Sequence, residues 1–112
     1  MKTVSLTENI VHKEDKPAIQ ILLKTSFSKE IRIAFKAGQI MKEHMAPGPI
    51  VVEVFEGVID FGVNGKILHL KKGDLITLDA LVPHDLKAIE DSIARLTLSK
   101  SDDVERVFKV IK

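Results

Sequence analysis

Apolar residues in this chain recur every second position, in short runs, and that alternation leaves little freedom in fold class. In "EIRIAFK", Ile31, Ile33 and Phe35 alternate with Arg32, Ala34 and Lys36. Such a period matches a strand with one face toward a core, and a helix cannot use it. "AIQILLKT" follows Pro17, and "IVVEVFE", "VIDFGV", "KILHLK", "DLITL", "HDLKAI" and "SIARLTL" come after. Each is rich in β-branched residues and bounded by Gly, Pro, Asn, Asp or charged residues. Many short strands at close spacing predict an all-β sandwich or barrel.

One hairpin can be set in register from sequence. Asn64-Gly65 suits a type I′ turn, whose two central residues both need positive φ. A two-residue loop there pairs Val63 with Lys66, Phe61 with Leu68, Asp60 with His69, and Ile59 with Leu70. Ile59, Phe61, Leu68 and Leu70 then share the core face, and Asp60 faces His69 as an exposed cross-strand pair. After Lys100 the period changes. Val104, Val107, Phe108 and Ile111 make one helical stripe, with Ser101 or Asp102 as its cap, which predicts a short C-terminal helix over about 101–111. The segment around "TENIV" fits a helical turn or a strand end equally well. Along "IVVEVFE", Ile50, Val52 and Val54 take one face and Val51, Glu53 and Phe55 the other. The second face is apolar enough to predict a cover, either the helix or a second subunit.

At 112 residues the chain has the length of one domain, with room for a core of its own. Lys plus Arg number 17 against 16 Asp plus Glu. That balance gives no basic footprint for nucleic acid or an anionic membrane. There is no Cys, which excludes disulfides and thiolate chemistry. No apolar run is long enough for a signal peptide or a membrane span, so the expected location is cytoplasmic. The five aromatic residues are all Phe and are assigned to the core. There is no GxSxG elbow, no phosphate-binding Gly-rich loop and no HExxH.

Two glycine-anchored spacings remain, and they resemble the cupin superfamily. The first cupin motif runs Gly, five residues, His, one residue, His, three or four residues, Glu, six residues, Gly. Here Gly38 and His44 stand in register, Ala46 takes the second-His position, Ile50 the Glu position, and Gly57 closes the motif. The second motif runs Gly, five residues, Pro, one residue, Gly, two residues, His, three residues, Asn. Gly73 opens it and His84 occupies the histidine position, while Asp79, Leu81 and Ala88 replace the Pro, Gly and Asn.

The resemblance spans about residues 30–99 within a single domain, 1–112. It implies a double-stranded β-helix, a jelly-roll barrel, and pairing into a homodimer. It also implies one divalent transition metal on three histidines and a carboxylate, of which only His44 and His84 are present. Glu43 has the wrong strand parity for a third ligand unless a bulge re-aims it, Asp79 lies across a turn, and the thioethers of Met41 and Met45 suit only Cu(I). Strand parity turns His84 inward with Leu86 and Ala88. The expected site is therefore a pocket of His44, His84, Ile50, Val52 and Leu86 that takes a partly apolar small molecule. A metal-dependent oxygenase or isomerase with His44 and His84 as ligands, and a non-catalytic scaffold or regulatory partner, are the alternatives. His12 is expected in solvent, and Glu53 and Glu56 at the surface.

Overall fold

The computed structural model describes residues 1–111. Nine strands precede one helix: β1 (Ala18–Lys24), β2 (Ser28–Phe35), β3 (Ile40–His44), β4 (Ile50–Glu56), β5 (Val58–Val63), β6 (Lys66–Lys71), β7 (Leu75–Leu78), β8 (His84–Ala88), β9 (Ser92–Ser99) and α1 (Val104–Lys109). They form a five-stranded sheet, ordered β1-β2-β9-β4-β7, and a four-stranded sheet, ordered β3-β8-β5-β6. Every pairing is antiparallel. Strands that are distant in sequence become neighbours, as in a jelly roll.

The core lies between the sheets. Ile31, Ile33, Phe35, Val54, Ala94 and Leu98 line the five-stranded side, and Met41, Ile59, Phe61, Leu86 and Ala88 the four-stranded side, all essentially excluded from solvent. The expected hairpin register holds at all four pairs. Asn64 (φ 52°) and Gly65 (φ 73°) both have positive φ, as the type I′ turn demands. Gly57 (φ 87°) has a second constraint, because a Cβ there would lie 2.5 Å from the Asp91 carbonyl oxygen. Asp60 and His69 pair on the outer face, with the imidazole largely in solvent.

Three features depart from the alternation. Arg32 and Ala34 are buried although they face outward from β2. β3, "IMKEH", has too few apolar residues to read as a strand. The helix is shorter than its sequence stripe, and its cap is Asp103, which accepts from the Glu105 N–H, rather than Ser101 or Asp102. Asp102 is instead buried and holds Arg106. Val107 and Ile111 enter the core, and the Lys42 N–H donates to the Val110 carbonyl, so α1 docks at the edge of β3. On the outer face of β4, Val51 and Phe55 are half-buried, with Glu53 between them bound to Arg95. Residues 6–9, which overlap the start of "TENIV", form bends rather than a helix or strand. Among the described residues no helix is long and apolar enough to cross a membrane.

Candidate functional site

The two motif histidines meet across the β3–β8 ladder. Met41 pairs with Leu86, but the next pair is His44 with His84, so β3 carries an extra residue there. That bulge decides what the site contains. In unbroken alternation from the buried Met41, Glu43 would face in and His44 out. The extra residue leaves Lys42 and Glu43 both exposed and turns His44 inward. The bulge therefore aims the histidine and rules out Glu43 as a third donor.

The rings of His44 and His84 have centroids 4.2 Å apart at 58°. His84 is 3% exposed and lies nearly parallel to Phe61, with centroids 5.5 Å apart. Each Nδ1 meets a backbone carbonyl two residues back: Lys42 O at 2.6 Å for His44 and Val82 O at 2.9 Å for His84. A carbonyl can only accept, so each Nδ1 carries the proton and each neutral ring keeps an Nε2 lone pair. Burial lowers the His44 pKa to about 4; the Lys42 carbonyl opposes this, His84 and Arg106 add to it, and Asp85 opposes it weakly. Burial likewise lowers the pKa of His84, against the Val82 carbonyl and with help from Arg106. The pair is neutral at physiological pH.

Met41, Val52 and Leu86 join the two histidines around an interior void of about 10 Å³, closed further by Ile33 and Leu96. A water needs ~10–15 Å³ measured this way, so the void has barely the room of one. His44, His84, Val52 and Leu86 thus come together as expected. Ile50 is buried in the core but does not line the void. Ala46 is also buried, so a methyl group and a butyl group fill the positions of the missing ligands.

The tautomers are those a metal site uses, since a ligating imidazole normally gives its other N–H to a carbonyl or carboxylate. The donor count falls short. Among the described residues no three His, Cys, Asp or Glu side chains come close enough to hold an ion. Asp79 is exposed on its loop, and the only further donor on the void is the Met41 thioether. The residues do not fit the divalent ion on three histidines and a carboxylate that the resemblance implies.

Sequence reasoning missed Arg106. Asp102 is 1% exposed; its Oδ1 accepts from Arg106 Nε at 2.9 Å and its Oδ2 from Arg106 Nη2 at 2.8 Å. This bidentate pair holds a guanidinium whose charge reaches both imidazoles. The i, i+4 spacing was the signal, and it reads equally well as ordinary helix surface.

The loops after β3 and before β8 are joined by a 2.8 Å bond from the Leu81 N–H to the Ala46 carbonyl. Leu81 makes it at φ 67°, a conformation usual for glycine, in the position where the motif has glycine. Larger hollows, of about 290 and 260 Å³, lie over Gly62, Ile67 and Asp85 on the outer face of the four-stranded sheet. They are open to solvent; the first borders His84, but neither takes in both imidazoles, so the imidazole pair is the stronger site.

No family model matches the sequence, and no curated protein matches it. Solved structures do. An RmlC-like cupin from Desulfovibrio desulfuricans superposes with a TM-score of 0.81 at 22% identity, covering 89% of this chain and 97% of that one. An RmlC-like cupin from Shewanella frigidimarina gives 0.76 at 22% identity, over 90% and 93%. A cupin 2 conserved barrel domain protein from Leptotrichia buccalis gives 0.74 at 29% identity, over 83% of this chain and 45% of that one. With the two-sheet topology and the His44–His84 register, these likenesses identify the chain as a small cupin-fold domain.

Proposed function

We propose that this cupin-fold domain binds a small, partly apolar molecule through the paired imidazoles of His44 and His84. One observation carries the reading: two neutral rings 4.2 Å apart, each with its Nδ1–H committed to the backbone, leave two bare Nε2 acceptors in an apolar enclosure. Neither Nε2 has a donor within the protein and neither is sealed from solvent, since Arg32 Nε is the one fully buried polar side-chain atom without a partner among the described residues, so each stands open to a donor from water or a ligand. A ligand bearing a hydroxyl or amide N–H supplies that donor, and Met41, Val52 and Leu86 suit its apolar part. The void is small, so entry requires the loops joined by Leu81 and Ala46 to part. The exposed side chains of Met45 and Leu81 on those loops offer an apolar rim.

The metal-dependent oxygenase or isomerase is the second reading, and the tautomers favour it. One experiment separates the two. Protein purified without a metal column is analysed for metal, then titrated with Fe, Mn, Ni, Cu and Zn, alongside His44→Ala and His84→Ala. The binding reading expects no stoichiometric ion. It also expects phenol, used as a hydroxyl-bearing apolar probe, to perturb the imidazole NMR signals saturably in the parent alone. A stoichiometric ion lost in both variants overturns it in favour of the metal. Pairing into a homodimer through the β4 outer face belongs to the same proposal; light scattering that gives a monomer mass would remove it.

A further inference from the structure

A second feature lies on the outside of the five-stranded sheet, away from the imidazoles. Arg32 points outward from β2 but is only 2% exposed, because residues 5–9 cross over it. Its Nη1 donates to the carbonyls of Ser5 (3.2 Å), Leu6 (3.3 Å) and Glu8 (2.9 Å). Its Nη2 donates to the Asn9 carbonyl at 3.0 Å and to Gln20 Oε1. All these acceptors are neutral. The fifth donor, Nε–H, is buried and has no acceptor.

No carboxylate among the described residues pairs with this guanidinium. Arg95 stands directly opposite Arg32 in the β2–β9 register and takes both nearby acids, Glu30 and Glu53, at 2.9 Å each. Buried charges are ordinarily paired, so a buried cation beside a second cation, with one donor unused, is an unfinished arrangement. A hollow of about 340 Å³ adjoins it, lined by Arg32, Thr3, Ser5, Asn9 and Gln20 among others, a size suited to a small ligand. Gln20 spends its carbonyl oxygen on Arg32, which leaves its NH₂ group to donate.

We propose that this hollow is a binding site for a small oxyanion, a carboxylate or phosphate group. The Arg32 Nε–H is its charged donor, and the Thr3 hydroxyl and Gln20 amide are its neutral ones. Arg32 itself holds the bends that cover it, so an anion reaches Nε only with a shift of residues 5–9. Glu8 also lines the hollow and opposes an anion. It therefore supplies a test that leaves Arg32 untouched.

The chain has three arginines, so the Nε–Hε signals of Arg32, Arg95 and Arg106 can be assigned and followed separately by ¹⁵N NMR. Acetate and inorganic phosphate are titrated against chloride at matched ionic strength. A saturable shift of the Arg32 signal is expected, with the Ser5 and Asn9 amides moving and Arg95 still. Whichever anion saturates at lower concentration names the class. Glu8→Gln should tighten binding about threefold, by removing a nearby like charge. Arg32→Gln should abolish it; if that variant does not fold, the parent and Glu8→Gln titrations decide. An Arg32 signal that follows chloride as closely as either oxyanion, or binding unchanged in Glu8→Gln, would overturn the site.

Discussion

Lowering the pH should destabilise this protein through His44, and removing that imidazole should remove most of the effect. The folded-state pKa of about 4 lies below the ordinary imidazole value of 6.5. Between these values the unfolded chain binds more protons, so stability rises with pH. The contribution is present in full above about pH 6.5 and is lost as pH falls toward 4. From pH 7.5 to 5.0 the linkage for one unscreened group is ~2 kcal/mol. His44 is only half-buried, so solvent screening reduces this to ~1 kcal/mol. His84 shifts in the same direction and adds to it. Urea unfolding at the two pH values measures the loss. With a slope of ~1–1.5 kcal/mol/M for a domain this size, the midpoint should drop by ~1 M. His44→Gln should recover most of that drop, and His69→Gln, in the exposed Asp60 pair, should recover none. An equal midpoint drop in parent and His44→Gln would refute the reasoning. It would mean that the imidazoles are not held neutral by burial, and the hydrogen-bond reading of the site would lose its basis.

Three further perturbations test the frame around the site. Gly38 and Gly57 share φ 87°, but a Cβ at Gly38 meets nothing within 4 Å, whereas at Gly57 it would lie 2.5 Å from the Asp91 carbonyl oxygen and 2.8 Å from Ser92 Cα. Gly57→Ala should therefore cost ~1–3 kcal/mol more than Gly38→Ala in urea unfolding, and equal costs would refute the close approach. Asp102→Ala leaves Arg106 unpaired beside two imidazoles and should cost ~3 kcal/mol, read as a fall in melting temperature. Leu81→Gly relieves a left-handed leucine worth ~1–2 kcal/mol, against ~0.5–1 kcal/mol of extra chain entropy, and should be neutral to slightly stabilising. A loss above 1 kcal/mol would show that the exposed leucine side chain packs more than its 63% exposure allows.

The outline of the fold was legible because local chemistry forced it. The Asn64-Gly65 turn admits one register, and that register places Phe61 where it can stack on His84. The cross-strand meeting of His44 and His84 followed from motif spacing, but the reason His44 faces inward did not. A bulge breaks period two, and a strand as polar as "IMKEH" shows no alternation to break. Arg106 was hidden because a pair at i, i+4 on a helix looks the same whether its acid is buried or solvated. Arg32 was hidden because the backbone that covers it is irregular and leaves no periodic trace. The size of the void depends on how Ile33, Met41 and Leu96 interdigitate, which no spacing encodes.

The two motif replacements become intelligible once Arg106 is placed. A divalent ion between His44 and His84 would gain two neutral nitrogens and lose its hydration. Ile50 in the carboxylate position and Ala46 in the imidazole position offer it nothing further. It would also meet a positive potential, since the Arg106 charge lowers the pKa of both histidines and Asp85 opposes it only weakly. Asp102 is spent on the Arg106 guanidinium itself. The same field that repels a cation is neutral or favourable toward an uncharged or anionic donor-bearing molecule. Under the proposed reading, the apolar residues at positions 46 and 50 and the charge of Arg106 act in one direction, favouring hydrogen bonding over ion binding at His44 and His84.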